Sequence, residues 1–198
     1  AYITGHKEFM KLDFIVNKNV LIPREDTEIL VEETIKLNKK KILDMCTGSG
    51  CIAISLAKYI DNAKVEGVDI SKRALTIAKL NAKQNNVDVN FINSNLFEEV
   101  TSTYDVIVSN PPYIRKRDME NLQKEVIREP EKALDGGEDG LYFYKKIIKE
   151  AKKYLNEEGY LIFEIGFDQA KEVSELLKKY NYKNIEVIKD LSKNDRVV

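Results

Sequence analysis

The sequence predicts a doubly wound α/β domain, and two observations support this prediction. From residue 26 onward, apolar segments of strand length alternate with longer segments of helical periodicity, which is typical of consecutive βαβ units. Residues 106–108 and 161–163 are continuously apolar, and such strands suit a sheet that helices cover on both faces. We therefore expect a mostly parallel sheet between two layers of helices.

The elements follow in a regular order. Residues 9–16 and 20–22 predict a small β-hairpin, because the turn-prone Asn17-Lys18-Asn19 separates two extended segments. Helices are expected at 26–38, from 49, from 71, and at 118–128, 140–155 and 168–180. Strands are expected at 41–45, 64–70, 89–93, 104–109, 160–165 and 185–188. We interpret residues 1–25 as a hairpin linker and residues 26–198 as the functional domain.

Composition excludes several classes of protein. The 198 residues are enough for one domain with a sizeable core, and a net charge of −1 gives no basic footprint for tight nonspecific nucleic-acid binding. Cys46 and Cys51 lack the spacing of a disulfide framework or a metal site. No stretch resembles a membrane span or a signal peptide. We expect a cytoplasmic protein with reduced thiols, no bound metal and no membrane partner.

A glycine-containing loop follows the first strand of the alternating region. Its residues are Cys46, Thr47, Gly48, Ser49 and Gly50, and glycines at a strand-to-helix turn let the backbone approach a ligand closely. Asp69 ends the next strand, where a carboxylate can accept hydrogen bonds from both hydroxyls of a ribose. A nicotinamide dinucleotide site has similar features, but no hydride-transfer residues are evident here.

The tetrapeptide Asn110-Pro111-Pro112-Tyr113 ends the apolar strand at 104–109. Its prolines fix an extended backbone and remove two donors. The Asn110 side-chain oxygen and the Pro111 carbonyl can accept both hydrogens of a planar NH2 group, and Tyr113 can stack on that group. These residues predict methylation of an amide or amino nitrogen. The alternative, a rigid surface turn, is less consistent with the strand before it.

The two loops are expected to share one cleft. In doubly wound sheets, ligands bind beyond the carboxyl ends of the strands, where the strand order reverses. If the strands at 41–45 and 104–109 are neighbours there, Gly48 and Asn110 face the same ligands. A methyl donor and an acceptor nitrogen would then meet in line.

Further segments extend this pattern over essentially the whole chain. They are Leu21-Ile22-Pro23-Arg24 with Thr27-Glu28, Glu129-Pro130 with Ala133-Leu134, and Asn194-Asp195-Arg196-Val197. Together with the glycine loop and the tetrapeptide, they resemble the peptide-chain release factor glutamine methyltransferases, which are class I S-adenosylmethionine-dependent methyltransferases. The resemblance implies a seven-stranded Rossmann-like sheet and methylation of the glutamine amide in the Gly-Gly-Gln loop of release factors.

The resemblance also assigns roles to residues. Residues 46–50 and Asp69 would hold S-adenosylmethionine, Asn95 and Leu96 would border its adenine, and Asn110 would face both cofactor and substrate. Residues 110–113 would bind the glutamine, with Asn110, Pro111 and Tyr113 promoting direct in-line displacement without a general base. Arg24, Thr27 and Glu28 are candidates for closing the cleft, or for a simple helix start. Glu164 is a candidate for facing the cleft or for a structural charge, and His6 for a surface position.

Three positions depart from the family pattern. Cys46 stands where glycine is usual, Asn95 replaces an acidic residue, and Glu25 stands where proline is usual. The helical N-terminal domain that family members carry is not found in this sequence, so a catalytic-domain fragment acting as a monomer is expected.

Two other functions remain open at this level. A nucleic-acid methyltransferase acting on adenine N6, cytosine N4 or guanine N2 would use the same tetrapeptide, with Tyr113 stacked on the base. Neither a target-recognition segment nor a net basic charge favours it. A noncatalytic cofactor-binding module is the second alternative, and the intact tetrapeptide argues against it.

Overall fold

The computed structural model describes residues 2, 4–122, 126 and 129–198. Within these residues the strands are β1 (His6–Phe9), β2 (Leu12–Ile15), β3 (Lys41–Met45), β4 (Lys64–Asp69), β5 (Asn90–Asn93), β6 (Tyr104–Ser109), β7 (Leu155–Phe163), β8 (Ile188–Lys189) and β9 (Asp195–Val197). The helices are α1 (Asp26–Lys36), α2 (Cys51–Tyr59), α3 (Lys72–Gln84), α4 (Tyr142–Ala151) and α5 (Ala170–Lys179). No helix in these ranges has the length and apolarity required to cross a membrane.

The main sheet is parallel throughout and is covered on both faces. Its five strands lie in the order β5-β4-β3-β6-β7. Alternate residues of β3 point to opposite sides, so Ile42 packs with α1 and α2 in one apolar cluster while Leu43 packs with α4 and α5 in another. The doubly wound α/β prediction is confirmed.

A short antiparallel hairpin extends this sheet at the β7 edge. β8 pairs with β9, and the amide of Phe163 donates to Val198 O at 2.7 Å while the amide of Ile165 donates to Arg196 O at 2.9 Å. The five parallel strands form the continuous ladder, and the hairpin is tied to them by these bonds and an antiparallel bridge between Glu164 and Val197. The expected seven-stranded sheet is therefore corrected to a five-stranded parallel sheet, with β8 and β9 as a separate two-stranded sheet tied to its β7 edge.

The N-terminal hairpin exists, but its predicted position was wrong. β1 and β2 are joined by Met10 and Lys11, which adopt φ angles of 50° and 58°. This placement buries Phe9 and Phe14, which pack edge to face. Asn17, which was expected to form the hairpin turn, instead accepts a hydrogen bond from the Asn19 amide at 2.9 Å. The segment at 20–22 then continues without strand pairing.

Other predicted boundaries also need correction. The helix expected at 118–128 begins as a 3₁₀ helix, Lys116–Asn121, and the chain is extended again at Leu122. Residues 123–125 and 127–128 of that prediction lie outside the described residues. β7 begins at Leu155 rather than at residue 160, and β8 overlaps the strand expected at 185–188 only at Ile188.

Asn81 joins the N-terminal hairpin to the rest of the domain. Its fully buried side chain accepts from the Ile15 amide at 2.7 Å and donates to Ile15 O at 3.1 Å and to Ser49 O at 2.9 Å. One amide on α3 therefore satisfies the edge of β2 and a carbonyl of the glycine loop. Buried backbone groups need such partners, so this contact fixes where the hairpin lies.

Replacing Asn81 tests this role. We expect Asn81→Ala to lower the free energy of unfolding by about 2–3 kcal/mol, because three backbone groups lose their partner. Gln84→Ala is the matched control on the same helix, since exposed Gln84 also contacts the hairpin, donating to Asp13 O at 3.0 Å; its loss should stay within about 0.5 kcal/mol. Urea unfolding measures both, and equal losses would contradict the special role of Asn81.

Candidate active site

The two candidate loops emerge side by side at the point where the strand order reverses. β3 and β6 are direct neighbours, with Met45 opposite Ser109 at their carboxyl ends. The Ser109 hydroxyl donates to Met45 O at 2.6 Å and links the two strand ends. The adjacency expected from the sequence is therefore present, and both loops border the crevice in which such sheets bind ligands.

The glycine loop is braced from below by Asp44. This buried carboxylate accepts from the Thr47 hydroxyl at 2.5 Å and from the Ala53 amide at 3.1 Å. Gly50 adopts a φ of +81° before α2, and a side chain there would press on Ile54 and Ala78. Gly48 differs, because a side chain at that position would meet nothing within 4 Å. The loop therefore has a packed side and an open side, as close approach of a ligand requires.

Cys46 occupies a backbone conformation that favours glycine. Its φ is +65°, and a left-handed conformation costs a residue with a side chain roughly 1 kcal/mol. The Cys46 side chain packs against the core cluster that contains Leu43 and Met45.

Asp69 connects the glycine loop to the start of α3. One carboxylate oxygen accepts from the Gly48 amide at 2.9 Å and the other from the Ser71 amide at 2.8 Å. Burial raises the pKa of Asp69 above its ordinary value, and the hydrogen bonds from Ser71 and Gly48 oppose that rise. Each oxygen retains a lone pair. The carboxylate is therefore held in place and remains able to accept from ligand hydroxyls.

Asn95 and Leu96 lie beyond the end of β5, on the side of the sheet away from β6. The exposed Asn95 amide donates to Glu98 at 2.7 Å. Leu96 has a φ of +53° and its side chain is buried in the core. Their position beside the adenine of a bound cofactor stays a prediction.

The tetrapeptide is rigidly held. Pro111 and Pro112 are buried, and the Asn110 side-chain NH2 donates to the Thr27 hydroxyl oxygen at 3.3 Å. The Tyr113 carbonyl accepts from Gln169 Nε2 at 3.2 Å. Because its NH2 group faces Thr27, Asn110 has its amide oxygen available for another donor.

A glycine-rich segment closes over the back of the tetrapeptide. Ile114 exchanges backbone hydrogen bonds with Leu134 and Gly136, at 3.0 and 2.8 Å. A side chain at Gly136 would lie 2.7 Å from Tyr113 Cα, so only glycine fits there. Neither this contact nor the role of Gln169 was predicted, because Gln169 carries no local signal beyond its position three residues after Gly166.

A cavity of about 200 Å³ opens beside Asn110 and Tyr113. Its lining is mostly apolar, with a few polar groups, which is typical of a small-group binding site. The lining residues are Leu21, Arg24, Asn110, Pro111, Tyr113, Ile114, Leu122, Val126, Ala133, Leu134 and Glu164. The cavity lies beside the tetrapeptide, for which an acceptor nitrogen is predicted.

Of the three residues expected to close the cleft, one lines this cavity and a second contacts a residue that lines it. Arg24 lines it and pairs with Glu129, whose side chain is 1% exposed and also accepts from the Ile22 amide at 3.2 Å. Thr27 contacts Asn110. Glu28 points elsewhere, because it accepts from the Met10 amide at 2.6 Å and fixes the hairpin turn.

Glu164 faces the cavity from the end of β7. It is 2% exposed, and one carboxylate oxygen accepts from the Tyr113 hydroxyl at 3.3 Å. The other oxygen, Oε2, is buried without a hydrogen-bond partner among the described residues. Burial raises the pKa of Glu164 to about 7, and hydrogen bonding from Thr27 and the charge of Arg196 partly oppose this rise. His6, by contrast, pairs with Asp13 on the surface.

Comparison with known proteins places this geometry in context. A family model described as the methyltransferase small domain matches residues 24–142. Proteins named release factor glutamine methyltransferase from Fusobacterium nucleatum and Flavobacterium psychrophilum are each 47% identical over all of this chain. The chain spans 58% of the first relative and 73% of the second. A crystal structure of a methyltransferase from Pyrococcus furiosus has a TM-score of 0.72 at 23% identity, covering 95% of this chain and 87% of that one, a likeness of fold.

The raised pKa of Glu164 predicts a pH-dependent stability. Its carboxyl binds a proton more tightly in the folded chain, so its ionisation destabilises the fold as pH rises from its ordinary pKa of 4.5 to about 7. As pH rises from 5 to 8, the free energy of unfolding of the unchanged chain should fall by about 2 kcal/mol more than that of Glu164→Gln. Urea unfolding at the two pH values measures this difference. Exposed Glu157→Gln is the control, and a difference of the same size there would contradict the assignment.

Proposed function

Because this chain belongs to the methyltransferase small domain family and, within it, to the release factor glutamine methyltransferases, we propose that it methylates a peptide-chain release factor. The group modified is the side-chain amide nitrogen of the glutamine in the Gly-Gly-Gln loop, and the methyl donor is S-adenosylmethionine. The observation that most supports this proposal is the position of Asn110-Pro111-Pro112-Tyr113 at the end of β6, directly beside the glycine loop that follows β3.

The glycine-loop side of the crevice suits the methyl donor. The open face at Gly48 and the fixed carboxylate of Asp69 fit a nucleoside that carries ribose hydroxyls. In this proposal the cofactor contacts are made by Cys46, Thr47, Gly48, Ser49, Gly50, Asp69, Asn95, Leu96 and Asn110. The bound cofactor supplies an electrophilic methyl group on a sulfonium sulfur.

The tetrapeptide side suits a primary amide. An amide nitrogen is a weak nucleophile because its lone pair is delocalised into the carbonyl. The Asn110 oxygen and the Pro111 carbonyl accept its two N–H bonds and increase electron density on nitrogen, while Pro112 stiffens the segment and Tyr113 supplies an apolar face. The nitrogen gains one methyl group and loses one proton to solvent, so positioning and electrostatics supply most of the rate.

Four further expectations complete the proposal. Residues 26–198 act as the catalytic domain, and the active form is a monomer in the cytoplasm. The net charge of −1 gives no support for a stable nucleic-acid partner.

Methyl transfer from labelled S-adenosylmethionine tests the proposal directly. Purified release factor, DNA and RNA serve as parallel acceptors, and mass spectrometry locates the modified atom. We expect one methyl group on the glutamine of the Gly-Gly-Gln loop, absent when that glutamine is alanine. Labelled nucleic acid together with an unmodified release factor would instead establish the nucleic-acid alternative.

Because one loop is proposed to bind the acceptor amide and the other the cofactor, substitutions in the two loops should change different kinetic quantities. Asn110→Ala should lower kcat by about 100-fold, because polarisation of the amide is lost, with a smaller change in cofactor affinity. Asp69→Asn should weaken cofactor binding by about tenfold, because a charged acceptor is lost. Steady-state kinetics and calorimetric titration of the cofactor measure the two effects. Equal losses of rate and affinity in folded Asn110→Ala would rule out its role in amide polarisation.

A further inference from the structure

Glu164 has a backbone fixed from two sides at the bottom of the acceptor cavity. Its amide donates to Ser109 O at 3.0 Å, and its carbonyl accepts from the Tyr144 hydroxyl at 2.8 Å. The residue before the tetrapeptide and a fully buried tyrosine of α4 thus hold it in place. A side chain anchored in this way has little freedom to move away from the cavity.

The Glu164 carboxyl lies among three polar side chains, those of Thr27, Asn110 and Tyr113. Asn110 NH2 donates to Thr27 Oγ1 at 3.3 Å, and both Thr27 and Glu164 are 2% exposed. Among the described residues Glu164 Oε2 is buried without a hydrogen-bond partner, and hydrogen bonding from the Thr27 hydroxyl lowers the pKa of this carboxyl. On the other side, the Tyr113 hydroxyl donates to the same carboxyl at 3.3 Å. Glu164 is therefore hydrogen-bonded to one end of the tetrapeptide, at Tyr113, and Thr27 is the donor that can relate it to the other end, at Asn110.

The position of the protons on Glu164 and Thr27 decides which way the Asn110 amide faces. A threonine hydroxyl has one proton and two lone pairs. When Thr27 donates its proton to an ionised Glu164, its oxygen can only accept from Asn110, so the Asn110 oxygen faces the cavity. When Glu164 is protonated, it can donate to Thr27, whose own proton then favours the Asn110 oxygen. The amide would flip and present NH2 to the substrate, which repels an incoming N–H group.

We propose that Glu164 is a positioning residue whose carboxylate holds the Thr27 proton and thereby keeps the Asn110 amide oxygen directed into the acceptor cavity. The inference deepens the proposed function and rests on it for its kinetic consequence. The orientation of Asn110, however, is a property of the free protein and can be measured without any substrate.

The ionisation of Glu164 falls in the neutral range, since burial raises its pKa to about 7. The acid is neutral below that pH and charged above it, so the fraction of correctly oriented Asn110 should rise as pH rises through about 7. Among the described residues, the other charged or titratable groups that face Glu164 are Tyr113, Tyr144, Cys51, Arg196, Asp26 and, across the cavity, Arg24.

The first experiment measures orientation without activity. The side-chain ¹⁵N signal of Asn110, identified by its loss in Asn110→Ala, is followed between pH 5.5 and 8.5. We expect one transition near pH 7 that disappears in Glu164→Gln and in Thr27→Val. The same transition in Glu164→Gln, or an Asn110 signal independent of pH in the unchanged chain, would overturn the inference whether or not the protein methylates a release factor.

The second experiment measures the consequence for rate. Thr27→Val keeps the shape of the side chain and removes the hydroxyl, so kcat should fall about tenfold with the KM for S-adenosylmethionine unchanged. Thr27→Ser restores the hydroxyl and should be several-fold faster than Thr27→Val, with the pH step retained. Thr34→Val removes another buried hydroxyl of α1, which donates to Leu30 O at 2.7 Å, and should leave kcat unchanged.

These rates separate the two proposals. A chain that shows the Asn110 transition but transfers no methyl group to release factor refutes the proposed function and leaves the positioning role intact. Normal methylation of release factor by Thr27→Val, with an unchanged pH profile, refutes the positioning role alone.

Discussion

The parallel pairing of β3 with β6 is the constraint on which the site depends. Parallel strands of one sheet end at the same edge, and here the chain runs outward from β3 in one direction to β5 and in the other to β7. The strand order therefore reverses between two neighbours, and the helices that follow them diverge to leave a crevice. The loop at Gly48 and the tetrapeptide at Asn110 come from distant parts of the chain and share that crevice only because of this pairing.

The rigidity of the site has a second source, which is a set of buried polar contacts. Ser109 links the two strand ends, Gln169 holds the Tyr113 carbonyl, and Gly136 lets the following segment lie against the tetrapeptide. Each contact removes freedom from groups that must be placed before the substrate arrives, and such preorganisation is how positioning lowers a barrier. The cost is seen at Glu164 and Asp44, each of which keeps one buried oxygen without a partner among the described residues.

The sequence predicted most of this architecture because its strongest features are local or periodic. Apolar runs such as residues 106–108 locate buried strands, and the β6 bounds agreed with the prediction. The pairing of its end with that of β3 followed from a general rule of doubly wound sheets. The hairpin was misplaced because burial of Phe9 and Phe14 outweighed the turn preference of Asn17. The contacts of Thr27, Gln169 and Glu164 could not be derived, since hydrogen bonds between distant segments leave no periodic pattern in a single sequence.

The central claim is that Asn110 holds the acceptor amide next to the methyl donor. A crystal structure with S-adenosylhomocysteine and a peptide containing Gly-Gly-Gln tests it most directly. We predict the nucleoside at Gly48 and Asp69, with the glutamine amide nitrogen about 3 Å from the Asn110 side-chain oxygen, in the cavity that Glu164 lines. A glutamine side chain bound outside that cavity, with no contact to Asn110 or Pro111, would contradict the account.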